Sequence, residues 1–308
     1  MSSDTTVPAP QPSAPAVIAA SMRLPFLVLP PACVLLGAAS LVHAGYPLQW
    51  GPLLLTLLGA VAAHVAVNTL NEYHDQRSGL DARTERTPFS GGSGMLPSHP
   101  AGQGLVLGTG ITALAVTAGV GLFFVLRHGW DLLPLGLAGV LIIMTYTPLM
   151  TRSVLLCLVV PGLGFGVLMV CGTHFVLGGG WSMTALVASL VPTFLVCNLL
   201  LINQFPDLAA DAAVGRRHLI IVHGVRAGVR TYGLFLILTY LTVIVGVILD
   251  ILPPWSLLGL LTIPLAVNIQ LGLNRYAEDI PQLIPFLGRN VLLILLTPVL
   301  VAVGLFLG

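Results

Sequence analysis

The sequence predicts an all-α, polytopic membrane protein of about nine transmembrane helices, and three observations carry that prediction. The composition is 56% hydrophobic and 7% charged, with a mean hydropathy of +0.99, which excludes a water-soluble globular domain. Apolar windows of about 20 residues, the length that crosses a bilayer, recur along almost the whole chain. The 11 acidic residues are concentrated rather than scattered. Glu72, Asp75, Asp81, Glu85, Asp207 and Asp211 fall in or beside two clusters, each at the end of an apolar window.

In chain order, residues 1–22 are rich in Pro, Ala and Ser. They lack the basic start and single apolar core of a cleavable signal peptide, so a disordered tail is expected there. Residues 23–308 form one transmembrane domain, with windows at 24–43, 52–71, 104–126, 132–150, 154–177, 184–204, 231–250, 255–273 and 289–307. An odd helix count puts the termini on opposite sides. With the N-terminus cytoplasmic, Arg127 alone among the arginines falls outside, the bias that cytoplasmic loops carry. Trp50, Trp130, Trp181 and Trp255 then all fall beside outer loops, as interfacial anchors do. There is no Lys, the net charge is +1, and the arginines form no stripe, so the expected surroundings are a lipid bilayer and not nucleic acid. Cys33, Cys157, Cys171 and Cys197 lie in apolar windows without a C-x-x-C pair, which indicates neither zinc nor disulfides.

The two acidic clusters are Asn71-Glu72-Tyr73-His74-Asp75, continuing to Asp81, and Asn203-Gln204-Phe205-Pro206-Asp207, continuing to Asp211. A carboxylate inside a bilayer costs about 2.5–3.5 kcal/mol and marks a site or pathway. Two carboxylates some ~5 Å apart repel by about 3 kcal/mol at an effective dielectric of about 20, and a divalent cation removes that penalty. Asp and Asn oxygens, without Cys or paired His, suit a hard ion such as Mg²⁺ bridging to phosphate. On helices, Asn203, Asp207 and Asp211 form one stripe, and His64, Asn68, Asn71 and Asp75 another. Pro206 is expected to interrupt the second stripe.

Arg83 and Arg86 follow the first cluster in a glycine-rich loop, and Arg152 follows Tyr146-Thr147-Pro148. A guanidinium is permanently charged and bonds phosphate in bidentate fashion, so these three are candidate diphosphate contacts, Arg152 foremost. Tyr146 is placed to flank a cationic intermediate.

At these residues the chain resembles the UbiA superfamily of intramembrane aromatic prenyltransferases. The resemblance rests on N-E-Y-H-D-x5-D, R-T-x-R-T-P-F-S-G-G, Y-T-P-x3-R and N-x-F-x-D-x3-D-x3-G, and it covers residues 23–307. It implies a ring of helices around a central cavity. Asn71, Asp75, Asp81, Asn203, Asp207 and Asp211 would hold Mg²⁺, two ions in all, and Asn68, Asn71, Asn203, Arg83, Arg86 and Arg152 would hold prenyl diphosphate. Asp75, Asp207 and Tyr146 are the candidate catalytic residues. The spacing is most similar to the branch that prenylates 1,4-dihydroxy-2-naphthoate in menaquinone biosynthesis. Another acceptor such as 4-hydroxybenzoate, a terpene-cyclising relative and a membrane transporter are the alternatives. The expected setting is an integral protein of a prokaryotic inner membrane, and under the arginine bias both acidic clusters close their helices on the cytoplasmic side, with the C-terminus outside. Two departures stand out: Glu72 replaces the usual Asp, and Gly215-Arg216-Arg217-His218 replaces G-K-x-T.

Overall fold

The computed structural model describes residues 12–308, and among these every regular element is helical. Eight helices are long and apolar enough to cross a membrane: α1 (Leu24–His43), α2 (Trp50–Ser78), α3 (Pro100–His128), α5 (Val154–Gly179), α6 (Met183–Ala213), α7 (Val225–Ile248), α8 (Pro254–Tyr276) and α9 (Ile280–Leu307). A shorter apolar helix, α4 (Trp130–Thr145), is the ninth. It ends at Thr145, short of residue 150, and the chain then turns back on itself through N–H bonds from Leu149 to the Thr145 carbonyl and from Met150 and Thr151 to the Tyr146 carbonyl.

Several boundaries differ from the hydropathy windows for physical reasons. The start of α9 lies at Ile280, where the Asp279 side chain accepts the Gln282 N–H and Pro281 occupies the first turn. At Pro206 the expected interruption is absent: α6 runs unbroken through both Pro192 and Pro206, so the missing N–H leaves a carbonyl unpaired without stopping the helix. Of the expected tail, residues 1–11 lie outside the described residues, while Ala14–Met22 is helical and buries Val17 against Leu96 and Val106. That short helix ends at Arg23, which has φ 54, an uncommon left-handed conformation for a residue with a side chain.

The densest core surrounds α6. Leu195, Leu201 and Ile202 pack with Leu36 of α1, Tyr232 of α7, Ile269 of α8 and Leu287 of α9. Smaller clusters join α2 to α3 through Val65, Ala66 and Ala113, and α3 to α5 through Phe124, Val125 and Phe175. Between the α6 core and the α2–α5 wall lies a cavity of about 530 Å³, closed on a third side by α9 through Val291, Ile294 and Leu295. Part of its wall is π-helical, at Gly164–Cys171 in α5. This wider turn is accommodated by Gly162 and Gly166, which lie against the backbone of Thr193 and Ser189 in α6. All four tryptophans are exposed. They cluster at the starts of α2 and α4, before α6 and at the start of α8.

Candidate active site

With 29 residues, α2 is about 44 Å long, and the 31-residue α6 is about 46 Å long. Both exceed the roughly 30 Å hydrocarbon thickness, so their last turns reach the interface, where polar side chains are tolerated. The two helices then end in the same way. Gly79 (φ 74) and Gly215 (φ 80) adopt the left-handed conformation that glycine permits. The next N–H in each case turns back onto an acidic residue's carbonyl, Leu80 onto Asp75 (3.0 Å) and Arg216 onto Asp211 (3.0 Å). This turn at Gly215 directs Arg216 back into the site.

Asn68, Asn71, Asp75, Asp81, Tyr146, Asn203, Asp207 and Asp211 all line the cavity. The two stripes are therefore brought together, as the sequence led one to expect. Arg216 joins them: its guanidinium pairs with Asp75 of the first stripe and with Asp211 of the second, the latter at 2.9 Å. The second oxygen of Asp211 is bonded to His218 Nε2 at 3.2 Å. Arg23 donates to Asn71 Oδ1 at 3.2 Å and lies 3.6 Å from Glu72. The Asn71 amide in turn donates to Thr147 at 3.1 Å, joining α2 to the turn after α4.

Glu72 has a different role from its neighbours. It is fully buried and accepts the Ser93 N–H at 3.0 Å as well as the Ser93 hydroxyl. The extra methylene relative to Asp lets it reach the glycine-rich loop. That loop crosses the mouth, with Ser90, Gly91 and Gly92 on the cavity wall and Phe89 against Gly288 of α9.

Three of the expected arginines stand elsewhere. Arg83, Arg86 and Arg152 are exposed and absent from the cavity wall. Arg83 reaches the Ala213 carbonyl and Arg86 the Ser93 carbonyl, so both brace loops. Arg152 closes a tight turn whose inward residue is Thr151, which accepts the Arg217 N–H. The cations at the mouth are instead Arg23 and Arg216. Neither belonged to the sequence-based site. For Arg216 a signal was visible, since a glycine four residues after Asp211 repeats the one after Asp75 and marks a turn back toward the acid.

The site is short of positive charge. Asp81 Oδ2, Asn203 Oδ1 and Asp207 Oδ1 are buried without a hydrogen-bond partner. Burial, and then the charges of Asp75 and Glu72, push the Asp81 carboxyl up to about 7 against the pull of Arg23 and Arg216. No three acidic, imidazole or thiol groups among the described residues converge closely enough to hold a metal by themselves. The orphaned oxygens are hard donors, and they fit a cation that keeps waters or shares oxygens with a substrate. The four cysteines are buried and free, and take no part in such a donor set.

These features define an intramembrane helical protein with an acidic, arginine-bridged mouth over an apolar chamber. The model of the UbiA prenyltransferase family matches residues 28–290, and the chain belongs to that family. It is a prenyltransferase. A curated relative, the 1,4-dihydroxy-2-naphthoate octaprenyltransferase of Bacillus subtilis, is 24% identical over 221 residues, 71% of this chain and 70% of the relative. Among solved structures, an apo UbiA homologue from Aeropyrum pernix aligns with a TM-score of 0.66 at 14% identity, covering 92% of this chain and 96% of that one. A UbiA homologue from Archaeoglobus fulgidus bound to GPP and Mg²⁺ aligns with a TM-score of 0.60 at 15% identity, covering 93% and 99%.

Proposed function

We propose that the protein transfers a polyprenyl group from its diphosphate to an aromatic acceptor, 1,4-dihydroxy-2-naphthoate in menaquinone biosynthesis, with Mg²⁺ as cofactor. The observation that carries this reading is the meeting of two Asn/Asp stripes, with orphaned oxygens, at the polar end of an otherwise apolar chamber. The acceptor is chosen from the chemistry of the Bacillus subtilis relative and the motif spacing. The metal follows from the donor set and from the Mg²⁺-bound Archaeoglobus fulgidus homologue.

Asp75, Asp81, Asp207 and Asp211, with Asn71 and Asn203, would hold two Mg²⁺ ions. Bound Mg²⁺ would supply positive charge to the diphosphate as the allylic C–O bond breaks. Arg23 and Arg216, already at the mouth, add fixed positive charge to the same leaving group. The bond's electron pair leaves with the diphosphate. A ring carbon of the acceptor donates a π pair to the allylic carbon, and the ring then loses a proton, or carbon dioxide where the carboxylated carbon is attacked. Tyr146 flanks the allylic cation. The apolar walls exclude water, which would otherwise capture it. Each isoprene unit contributes about 4 kcal/mol of apolar transfer, so the donor's tail stays within the membrane.

The N-terminus and the mouth are assigned to the cytoplasmic side of a prokaryotic inner membrane, on the arginine bias and the tryptophans at the opposite end. The test is to incubate membranes containing the full chain with a labelled prenyl diphosphate and a panel of hydroxylated aromatic acids, with Mg²⁺ and with EDTA. Mg²⁺-dependent labelling of 1,4-dihydroxy-2-naphthoate is expected. Labelling of 4-hydroxybenzoate alone would overturn the acceptor, and full activity in EDTA would overturn the metal.

A further inference from the structure

On the lipid-facing side of the α8–α9 hairpin, two polar side chains interrupt an apolar surface. Asn268 of α8 and Arg289 of α9 are both exposed, and Val267, Leu271 and Leu292 beside them are exposed and apolar. The other arginines among the described residues stand in loops or within two turns of a helix end, whereas Arg289 is the tenth residue of α9. Its depth follows from the other end of that helix. Gly304 packs against the Trp255 backbone, and Trp255 is one of the exposed tryptophans that mark a membrane border. Arg289 lies fifteen residues from Gly304, about 22 Å along α9 within a roughly 30 Å hydrocarbon core. Its side chain then leans a further turn toward the mouth, where the guanidinium covers the Phe286 ring at 4.7 Å. The charge therefore reaches the border of the core, the level at which lipid phosphates begin.

The hydrogen bonding of this pair leaves donors facing outward. Arg289 gives one N–H to Asn268 Oδ1 at 2.7 Å, which engages the amide's acceptor atom and leaves its NH₂ group and the remaining guanidinium N–H groups free. A second guanidinium lies nearby. Tyr276 and Phe286 stack with centroids 5.9 Å apart, and Arg275 covers Tyr276 at 5.9 Å as Arg289 covers Phe286. Neither arginine pairs with a carboxylate among the described residues. In the turn between the helices, Asp279 caps α9 by accepting the Gln282 N–H, and Glu278 is exposed beside it. An acyl chain offers these donors nothing. A phosphodiester offers negative charge and acceptor oxygens, which a guanidinium fork grips in bidentate fashion.

We infer that Arg289 and Asn268, with Arg275 nearer the hairpin turn, bind the phosphate of an anionic phospholipid in the mouth-side leaflet. The donors open sideways onto lipid beside Leu271 and Leu292, so an anion anchored by its own acyl chains arrives already at their depth. A soluble anion would have to enter the border of the core to reach them. Val291, Ile294 and Leu295, on the opposite face of α9, line the cavity. The helix therefore separates this lipid site from the acidic mouth.

The test places the full-length protein in nanodiscs of phosphatidylcholine with a minor fraction of phosphatidylglycerol and counts the lipids that stay bound, by native mass spectrometry after release into mild detergent. Wild type should retain phosphatidylglycerol well above its share of the disc. Arg289→Gln should lower that preference about tenfold, and Asn268→Leu, which keeps the charge, should lower it several-fold. Arg226→Gln, at an exposed arginine in the first turn of α7, should leave it unchanged. Equal retention by wild type and Arg289→Gln would overturn the inference. An equal loss in Arg226→Gln would also overturn it, as the sign of a general attraction to the basic face. Displacement of the bound phosphatidylglycerol by inorganic phosphate at constant ionic strength would mark a site for a soluble anion, and displacement by geranylgeranyl diphosphate a point of entry for the donor; either result refutes a lipid site. Should Arg289→Gln fail to insert, a wild-type preference in Asn268→Leu is the outcome that refutes it.

Discussion

Replacing Arg216 by Met retains most of its apolar stem and removes the charge that joins the two stripes. Asp75 and Asp211 are 6% and 3% exposed, so they would be left facing each other with little water. Removing one partner of a buried pair costs about 3–5 kcal/mol, because the remaining charge is uncompensated. At about 2–4 °C per kcal/mol for a chain of this size, the melting midpoint in detergent should fall by roughly 6–20 °C. The informative comparison is the effect of Mg²⁺. In the wild type, a cation that engages Asp75 and Asp211 must displace a guanidinium from them, whereas in Arg216→Met it meets free carboxylates. A ligand at a hundred times its Kd stabilises by about 2.7 kcal/mol, and a larger share of that should appear in the variant. Thermal unfolding by intrinsic fluorescence, with and without 10-fold steps of Mg²⁺, reads both effects. Equal Mg²⁺ shifts in the two proteins, or an unchanged midpoint in Arg216→Met, would show that Arg216 does not occupy the place of a cation.

Three further outcomes follow from the same geometry. Asp75→Asn and Asp207→Asn should each lower turnover by about a hundredfold or more while the protein still inserts, measured as prenyl transfer per folded molecule. In metal-free protein, stability should fall as pH rises from about 4 towards 7. The folded state holds the Asp81 proton over that window more tightly than the unfolded chain does, and Asp81→Asn should flatten the slope in a pH series of melting curves. Gly166→Ala should destabilise by about 1–3 kcal/mol. Its Cβ would overlap Thr193 Oγ1 and lie 2.6 Å from the Ser189 carbonyl, so a midpoint equal to wild type would contradict the packing of α5 on α6.

The helices and the two stripes were legible because both depend on local pattern. Apolar length identifies a span, and a four-residue step places Asn71 with Asp75 and Asn203 with Asp207 whatever surrounds them. Arg83, Arg86 and Arg152 stand off the cavity wall because a loop residue's direction is set by backbone turns that hydropathy does not record. Arg152 ends a turn that faces outward, whereas Arg216 follows a left-handed glycine that faces inward. The start of α9 was carried by Asp279 and Pro281, which an apolar window passes over. Glu72 looked like a conservative change in a ligand set, and its buried bonds to Ser93 became visible only once the loop had been folded over α2.

The helices that carry the two stripes differ in how much of them is packed. In the apolar stretch of α6, 72% is buried, but in that of α2 only 33%, and in its neighbour α3 17%. Lipid chains match the apolar character of the side chains, so the α2–α5 wall is held by packing and a few hydrogen bonds rather than by expulsion of water. The second acidic stripe therefore rides on a rigid post and the first on a compliant panel. Amide exchange should be slow along α6 and faster along α3 and α4. Detergents and thicker or thinner bilayers will change the separation of the stripes mainly by moving α2, so preparations that preserve the fold can still differ in how well the two halves of the site are aligned.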